Sequence, residues 1–317
     1  MFSKRIIISY VKSTRPYLFF VSGMAGLLGI VFSETIASCG RTICILIVLF
    51  LGWGVNQVIN DLLGLREDRI NAPHRPLVSG ELPIKAAVVI SLLLFAGGGL
   101  VTFLLNPQAL FIYSAIFLMN FIYEYSKSVP VLGNFIFGFL LALCVYYGAV
   151  CLSPRGLDAF LDKKLLLLAI SVVLINITTA FYTYYKDARG DYLAGKKTII
   201  VCLKPDRARY LNFIVSLLPF VIVPALLFSP AWNEKINIYF IAFLFLSFVI
   251  LQYTALLFFK HPRGPQTYFS LRWNFTGAVL FKTSFVALVN PLLAGVLFLA
   301  NFILIKFLFK LHSDYLV

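Results

Sequence analysis

The sequence predicts an all-α, multi-pass membrane protein, with about nine transmembrane helices around a central cavity. Three observations predict it. Hydrophobic residues make up 61% of the 317 and charged residues only 13%, an apolar share beyond that of an ordinary soluble domain. Mean hydropathy is +0.92. Apolar runs near the ~20 residues that cross a bilayer recur along the whole chain, at 17–37, 43–62, 85–104, 108–124, 131–152, 164–186, 210–229, 237–259 and 286–309. The region 274–285 is apolar too and reads as either an interfacial helix or half of a tenth span. Residues 1–317 read as one domain, with no separate soluble module.

The opening, MFSKRIIISYVKSTRP, is basic, and its apolar run IIISYV is shorter than the core of a cleavable signal. Cys39, Cys44, Cys144, Cys151 and Cys202 show no metal-ligand spacing and read as small packing residues. His74, His261 and His312 are scattered and form no ligand set. The net charge is +14, and most of the 27 basic residues fall in the amino-terminal segment or after spans 2, 4, 6 and 8. The positive-inside rule therefore places the amino terminus and those segments in the cytoplasm. Topology accounts for the basic residues, so nucleic-acid binding is not expected.

One stretch organises the chain: NQVINDLLGLREDRINAPHRPLVSG, from Asn56 to Gly80. It begins inside span 2 and turns abruptly polar. Amides and carboxylates are costly in hydrocarbon, so a cluster of them at the end of a span usually faces an aqueous cavity. Asn56 and Asn60 lie one helical turn apart, and Asp61 and Asp68 two turns apart, so each pair shares a face. Acceptor oxygens so placed suit a hard divalent cation. Beside a cytoplasmic loop, a hydrated helix end would explain the same residues.

A second cluster weighs against that plainer reading. Span 6 ends in FYTYYKDARGDYLAGKKT, where Asp187 and Asp191 are at i,i+4 with Lys186, Arg189, Lys196 and Lys197 around them. The span count puts both clusters on one side of the membrane. Two acidic patches fringed with Lys and Arg suggest a site for a polyanion plus a cation: carboxylates hold Mg²⁺, Mg²⁺ bridges phosphate oxygens, and the bases bind the rest.

At these residues the chain resembles the UbiA superfamily of intramembrane prenyltransferases, which have nine helices and two Asp-rich motifs. Asn60, Asp61 and Asp68 match the first, Asn-Asp-x-x-Asp-x-x-x-Asp, with Gly64 where the middle Asp belongs. Asp187, Asp191, Gly195 and Thr198 match the second, with Tyr184 in place of its first Asp. After span 4, YEYSKSVPVLGN is similar to the family's Tyr/Lys-rich loop, Lys127 matching a basic position, and Arg15-Pro16 resembles its opening Arg-Pro. Glu67 is an unconvincing substitute for a lost ligand, because its helical azimuth differs from that of position 64.

The resemblance implies Mg²⁺-assisted ionisation of an allylic polyprenyl diphosphate in the bilayer and transfer of the prenyl chain to a small acceptor. The HRPLVSG tail tilts the acceptor toward an aromatic or polyol compound. Asp61, Asp68, Asp187 and Asp191 are the implied catalytic and metal-binding residues, with Asn60 beside the metal. Lys127, Lys186, Arg189, Lys196 and Arg75 are the implied diphosphate ligands. Asn56, Arg15, Tyr146, Tyr147, Tyr182 and Tyr185 are candidates for the substrate pocket, the tyrosines because an allylic cation is stabilised by π faces. A terpene cyclase on the same scaffold is the competing enzyme reading, and an ion-coupled transporter the non-enzymatic one.

Overall fold

Ser3 accepts a hydrogen bond from the Ile6 amide and so caps an amphipathic helix, α1 (Lys4–Ser13). The structure is a computed structural model describing residues 3–36, 38–230, 232 and 234–311, so His312 and position 37, the end of the first expected span, lie outside the described residues. Arg15 takes a left-handed conformation (φ 49°) before Pro16, and a short 3₁₀ turn, Pro16–Leu18, leads into α2 (Phe20–Val31). The chain bends by 59° there. Lys4–Leu18 and Phe20–Val31 therefore form a bent pair, and α1 ends at Ser13 because Pro16 cannot donate back to the α1 carbonyls and disfavours helix at the residue before it.

The remaining helices are α3 (Cys39–Leu63), α4 (Leu65–Asn71), α5 (Pro76–Ser79), α6 (Ile84–Leu105), α7 (Ala109–Ser126), α8 (Leu132–Val150), α9 (Lys163–Leu193), α10 (Ile199–Leu203), α11 (Pro205–Val215), α12 (Leu218–Leu227), α13 (Ile238–Lys260), α14 (Gln266–Val289) and α15 (Pro291–Leu311). Among the described residues, eight helices are long and apolar enough to cross a bilayer, or nine if the bent pair is one span. The stretch 274–285 is neither an interfacial helix nor a half-span. It lies inside α14, which packs on α2, α9, α13 and α15 and carries enough Thr, Ser and Asn to lower its hydropathy. Pro291 ends α14 and starts α15, so the expected last span, 286–309, straddles that break.

Burial sorts the helices into an inner and an outer set. The most apolar windows of α8 and α9 are 83% and 78% buried, against 17% for α6 and 22% for α15. The outer helices leave side chains such as Leu92, Leu104, Phe245 and Leu292 exposed, where a bilayer supplies the apolar contact. At the centre, α2 crosses α8 so closely that neither has room for a side chain at the contact. A Cβ on Gly29 would run into the Val145 carbonyl, and one on Gly148 into the Gly26 carbonyl. Such small-residue contacts are how helices associate where apolar burial gives little drive.

Gly148→Leu is expected to cost about 2 kcal/mol or more and to lower the melting temperature of the detergent-solubilised protein. Gly40→Ala, where a Cβ meets nothing within 4 Å, serves as the control and leaves melting within about 1 kcal/mol of the unsubstituted chain.

Candidate active site

The last turns of α3 place Asn56, Gln57, Asn60 and Asp61 on one wall of a cavity at one end of the bundle. The Gly64 amide closes the helix on the Asn60 carbonyl at 2.8 Å, and α4 starts afresh from there. The restart turns both Glu67 and Asp68 into the cavity. The azimuth argument against Glu67 assumed one unbroken helix; the break at Gly64 removes it. Arg75, at the amino end of α5, reaches back to Asp68 and lies 3.4 Å from Asp61. Arg15 pairs with Asp61 as well, and its second Nη donates to Gln57 Oε1 at 3.0 Å. Two guanidinium groups thus balance the first acid cluster.

The second cluster comes from the end of α9, where Thr183, Tyr184, Lys186, Asp187 and Asp191 line the same cavity. Asn71 joins the two clusters. Its side-chain amide donates to the Asp187 carbonyl at 3.1 Å and accepts from the Gly190 amide at 2.9 Å. A side chain at Gly190 would collide with that amide, so the glycine is what lets α4 dock on α9. Lys186 pairs with Asp187 at 2.8 Å.

A third wall is α7, which contributes Asn120, Tyr123 and Glu124, with Lys127 just after it. Glu124 accepts from Lys127 at 2.5 Å and from Lys196 at 2.6 Å, and Lys196 also reaches Glu67 at 2.9 Å. Burial penalises both ammonium groups, but Glu124 more than offsets it, and the pKa of each lies above the ordinary lysine value. The start of α14 and the end of α15 close the cavity with Tyr268, Leu271, Phe275 and Phe309. Its open volume is about 1220 Å³, mouth included. An apolar cleft of about 350 Å³ continues from it past Trp53, Asn56 and Leu140, toward Phe117, Cys144 and Tyr147.

Of the residues singled out in the sequence, Asp61, Asp68, Asp187, Asp191, Asn56, Asn60, Arg15, Arg75, Lys127, Lys186 and Lys196 meet at this cavity. Five others do not line it. Arg189 is exposed, on the far side of α9 from Asp187 and Asp191. Tyr182 and Tyr185 pack on Phe258 of α13, with ring centroids 4.5 and 5.0 Å away. Their azimuths differ from that of Tyr184, the residue standing where the family motif has an acid. Tyr146 stacks on Phe160 at 4.1 Å. Tyr147 lines only the apolar cleft, its hydroxyl 2.8 Å from Thr102. Sequence reasoning missed Glu124, Gln57, Tyr123, Tyr268 and Phe309. Glu124 alone carried a legible signal, a carboxylate within the Tyr/Lys segment.

The cavity's charges leave it short of positive charge. Six carboxylates (Asp61, Glu67, Asp68, Glu124, Asp187, Asp191) face five bases (Arg15, Arg75, Lys127, Lys186, Lys196), a net charge of −1 at full ionisation. Four buried oxygens have no hydrogen-bond donor: Asn56 Oδ1, Asn60 Oδ1, Glu67 Oε2 and Asp68 Oδ2. Such an unpaired acceptor is costly and is what an oxygen-seeking divalent cation binds. Among the described residues, no three acids stand close enough to hold an ion unaided. That suits Mg²⁺, which takes one or two carboxylates and completes its shell with water and phosphate oxygens.

A family model for the UbiA prenyltransferase family matches residues 19–276. Digeranylgeranylglyceryl phosphate synthase of Thermococcus kodakarensis is 29% identical over 215 residues, 67% of this chain and 75% of that protein. The enzyme of the same name from Methanosarcina mazei is 30% identical, over 57% of this chain and 61% of its own. A UbiA homolog from Archaeoglobus fulgidus, solved with GPP and Mg²⁺, superposes with a TM-score of 0.64 at 18% identity, covering 89% of this chain and 99% of that one. The homolog from Aeropyrum pernix gives 0.67 at 18% identity, covering 87% and 98%. With most of its length matched by the family model, the chain belongs to the UbiA prenyltransferase family.

Proposed function

We propose that this prenyltransferase moves a polyprenyl chain from an allylic diphosphate to the hydroxyl of a phosphate-bearing, glyceryl-type acceptor, with Mg²⁺ as cofactor. The observation that carries it is the buried cavity in which six carboxylates exceed five bases while four acceptor oxygens lack donors. A net negative pocket repels a diphosphate unless divalent cations enter with it. Asp61, Asp68 and Asn60 on one wall, and Asp187 with Asp191 on another, would hold Mg²⁺, which when bound neutralises the leaving diphosphate.

The protein's own groups do the rest. Lys127, Lys186 and Lys196 contribute N–H donors to the diphosphate oxygens. As the allylic carbon–oxygen bond breaks, its electron pair leaves with the diphosphate. The acceptor oxygen then forms the new ether bond, and its proton passes to the released diphosphate. Tyr184 lines the cavity, and a ring face toward the allylic cation is worth roughly 0.5–2 kcal/mol, whereas the rings of Tyr123 and Tyr268 have the Lys127 and Lys186 ammonium groups over them at 4.7 and 5.9 Å. The apolar cleft toward Tyr147 receives the tail. In this reading the cavity and the amino terminus are cytoplasmic, as the basic segments require.

This acceptor takes the polyol side of the expectation drawn from the sequence and not the aromatic side. Two basic groupings, Arg15 with Arg75 and Lys127 with Lys196, sit on separate acids. They provide for two anionic substrates, a diphosphate and a phosphate. The relatives named digeranylgeranylglyceryl phosphate synthase point the same way.

Incubation with geranylgeranyl diphosphate, Mg²⁺ and geranylgeranylglyceryl phosphate is expected to yield the ether product and pyrophosphate. Turnover with hydroxybenzoate instead overturns the acceptor assignment, and a cyclised hydrocarbon formed without any acceptor establishes the cyclase. Asp68→Asn is expected to slow pyrophosphate release at least ~100-fold, the scale set by losing one charge-stabilising group. It is also expected to lower the melting temperature, because Arg75 loses its ion pair with Asp68 and keeps its contact with Asp61, with the protein still folded at assay temperature. Unchanged turnover in that variant, or in chelator, removes Asp68 from the metal site.

A further inference from the structure

Neither Asp-rich segment supplies one of the cavity's carboxylates. Glu124 comes from α7, is 6% exposed, and uses its two oxygens separately: Oε1 for Lys196 and Oε2 for Lys127. We propose that Glu124 is a positioning residue that holds Lys127 and Lys196 together as one two-ammonium clamp for the leaving diphosphate. The proposal rests on the prenyl-transfer reading and names a residue that reading does not use.

The two lysines arrive from different places, Lys127 from the turn after α7 and Lys196 from the loop after α9. Each is a point charge on a flexible four-carbon stem, and two ammonium groups side by side repel. A planar carboxylate between them cancels the repulsion and fixes their spacing. Lys127 is further set by the ring of Tyr123, 4.7 Å from its ammonium, and Lys196 by Glu67. An ammonium has three donors, so each lysine keeps N–H capacity for phosphate oxygens. A Cβ at Gly64 would stand at ordinary contact distance, 3.7 Å, from both Glu124 Oε1 and Glu67 Oε2, so two glutamates from other positions face the place where the family motif has an acid.

A carboxylate that only balanced charge would, on removal, leave affinity for an anion unchanged or raised, because the cavity loses a negative charge, and this separates the two roles. The test is calorimetric titration of inorganic pyrophosphate, with Mg²⁺, into the purified full-length protein, alongside transfer kinetics and melting temperature. Glu124→Gln is expected to weaken pyrophosphate binding about 10-fold or more, the usual cost of losing a group that orients a ligand's partners. It is also expected to raise KM for the prenyl diphosphate while sparing KM for the acceptor. In a Lys127→Ala/Lys196→Ala background the same change is expected to add nothing. Glu124→Asp keeps the charge but shortens the reach, and is expected to lie between; it carries the test if the glutamine variant melts too early to purify. Wild-type affinity in Glu124→Gln or Glu124→Asp, or an undiminished loss in the double-alanine background, overturns the proposal. A parent protein that binds no pyrophosphate overturns the prenyl-transfer reading itself.

Discussion

Eleven ionisable side chains are gathered at one end of an apolar bundle, and the rest of the structure answers to the cost of burying their charges. An unpaired charge in such surroundings costs several kcal/mol, and breaking one partner of a buried pair typically costs about 3–5 kcal/mol. The chain meets this with shared partners: Asp61 between Arg15 and Arg75, Glu124 between Lys127 and Lys196, and Lys196 between Glu124 and Glu67. Each sharing group comes from a different element. The ion pairs therefore stitch the amino-terminal turn, α3, α4, α7 and α9 around one space.

Local breaks in the helices are what make those pairings possible. Arg15 reaches Asp61 because its left-handed backbone ends α1. Glu67 and Asp68 both turn inward because Gly64 interrupts the helix. Asn71 can brace α9 because position 190 is glycine. A continuous helix through Arg15 or Gly64 would carry the same residues to another face. The irregular backbone lines the cavity, the one place where it is tolerated at membrane depth, while α8 and α9 stay regular and anchor it from behind.

How much of this could be read in advance followed the range of the interaction. Hydropathy marked the outer helices well, because lipid contact is a property of each helix alone. It placed the α14/α15 boundary badly, because α14 is a buried helix whose Thr and Ser hydroxyls donate to its own carbonyls. The aspartates and most of their bases were legible, since i,i+4 spacing and charge clustering survive in one dimension. Glu124 left only its place within the Tyr/Lys segment as a signal, because its role lies in a lysine 72 positions away. The tyrosines failed for a different reason: composition gives their number but not their azimuth. Tyr182 and Tyr185 face Phe258, whereas Tyr184 between them lines the cavity.

The two departures from the family's acidic motifs then have a common physical logic. At position 64 the carboxylate is gone, but Glu67 and Glu124 converge on its space; at 184 a tyrosine lines the cavity instead. With six acids against five bases, a site stripped of either glutamate would be neutral, and one stripped of both would be net positive before any cation arrived. Such a site would draw diphosphate in without metal and have less to hold the metal with. In the proposed reaction, one negative charge in excess would make anion entry depend on a divalent cation entering too. Two of the chamber's carboxylates, Glu67 and Glu124, stand outside the motif positions, and in that reaction their charge would help recruit the cation.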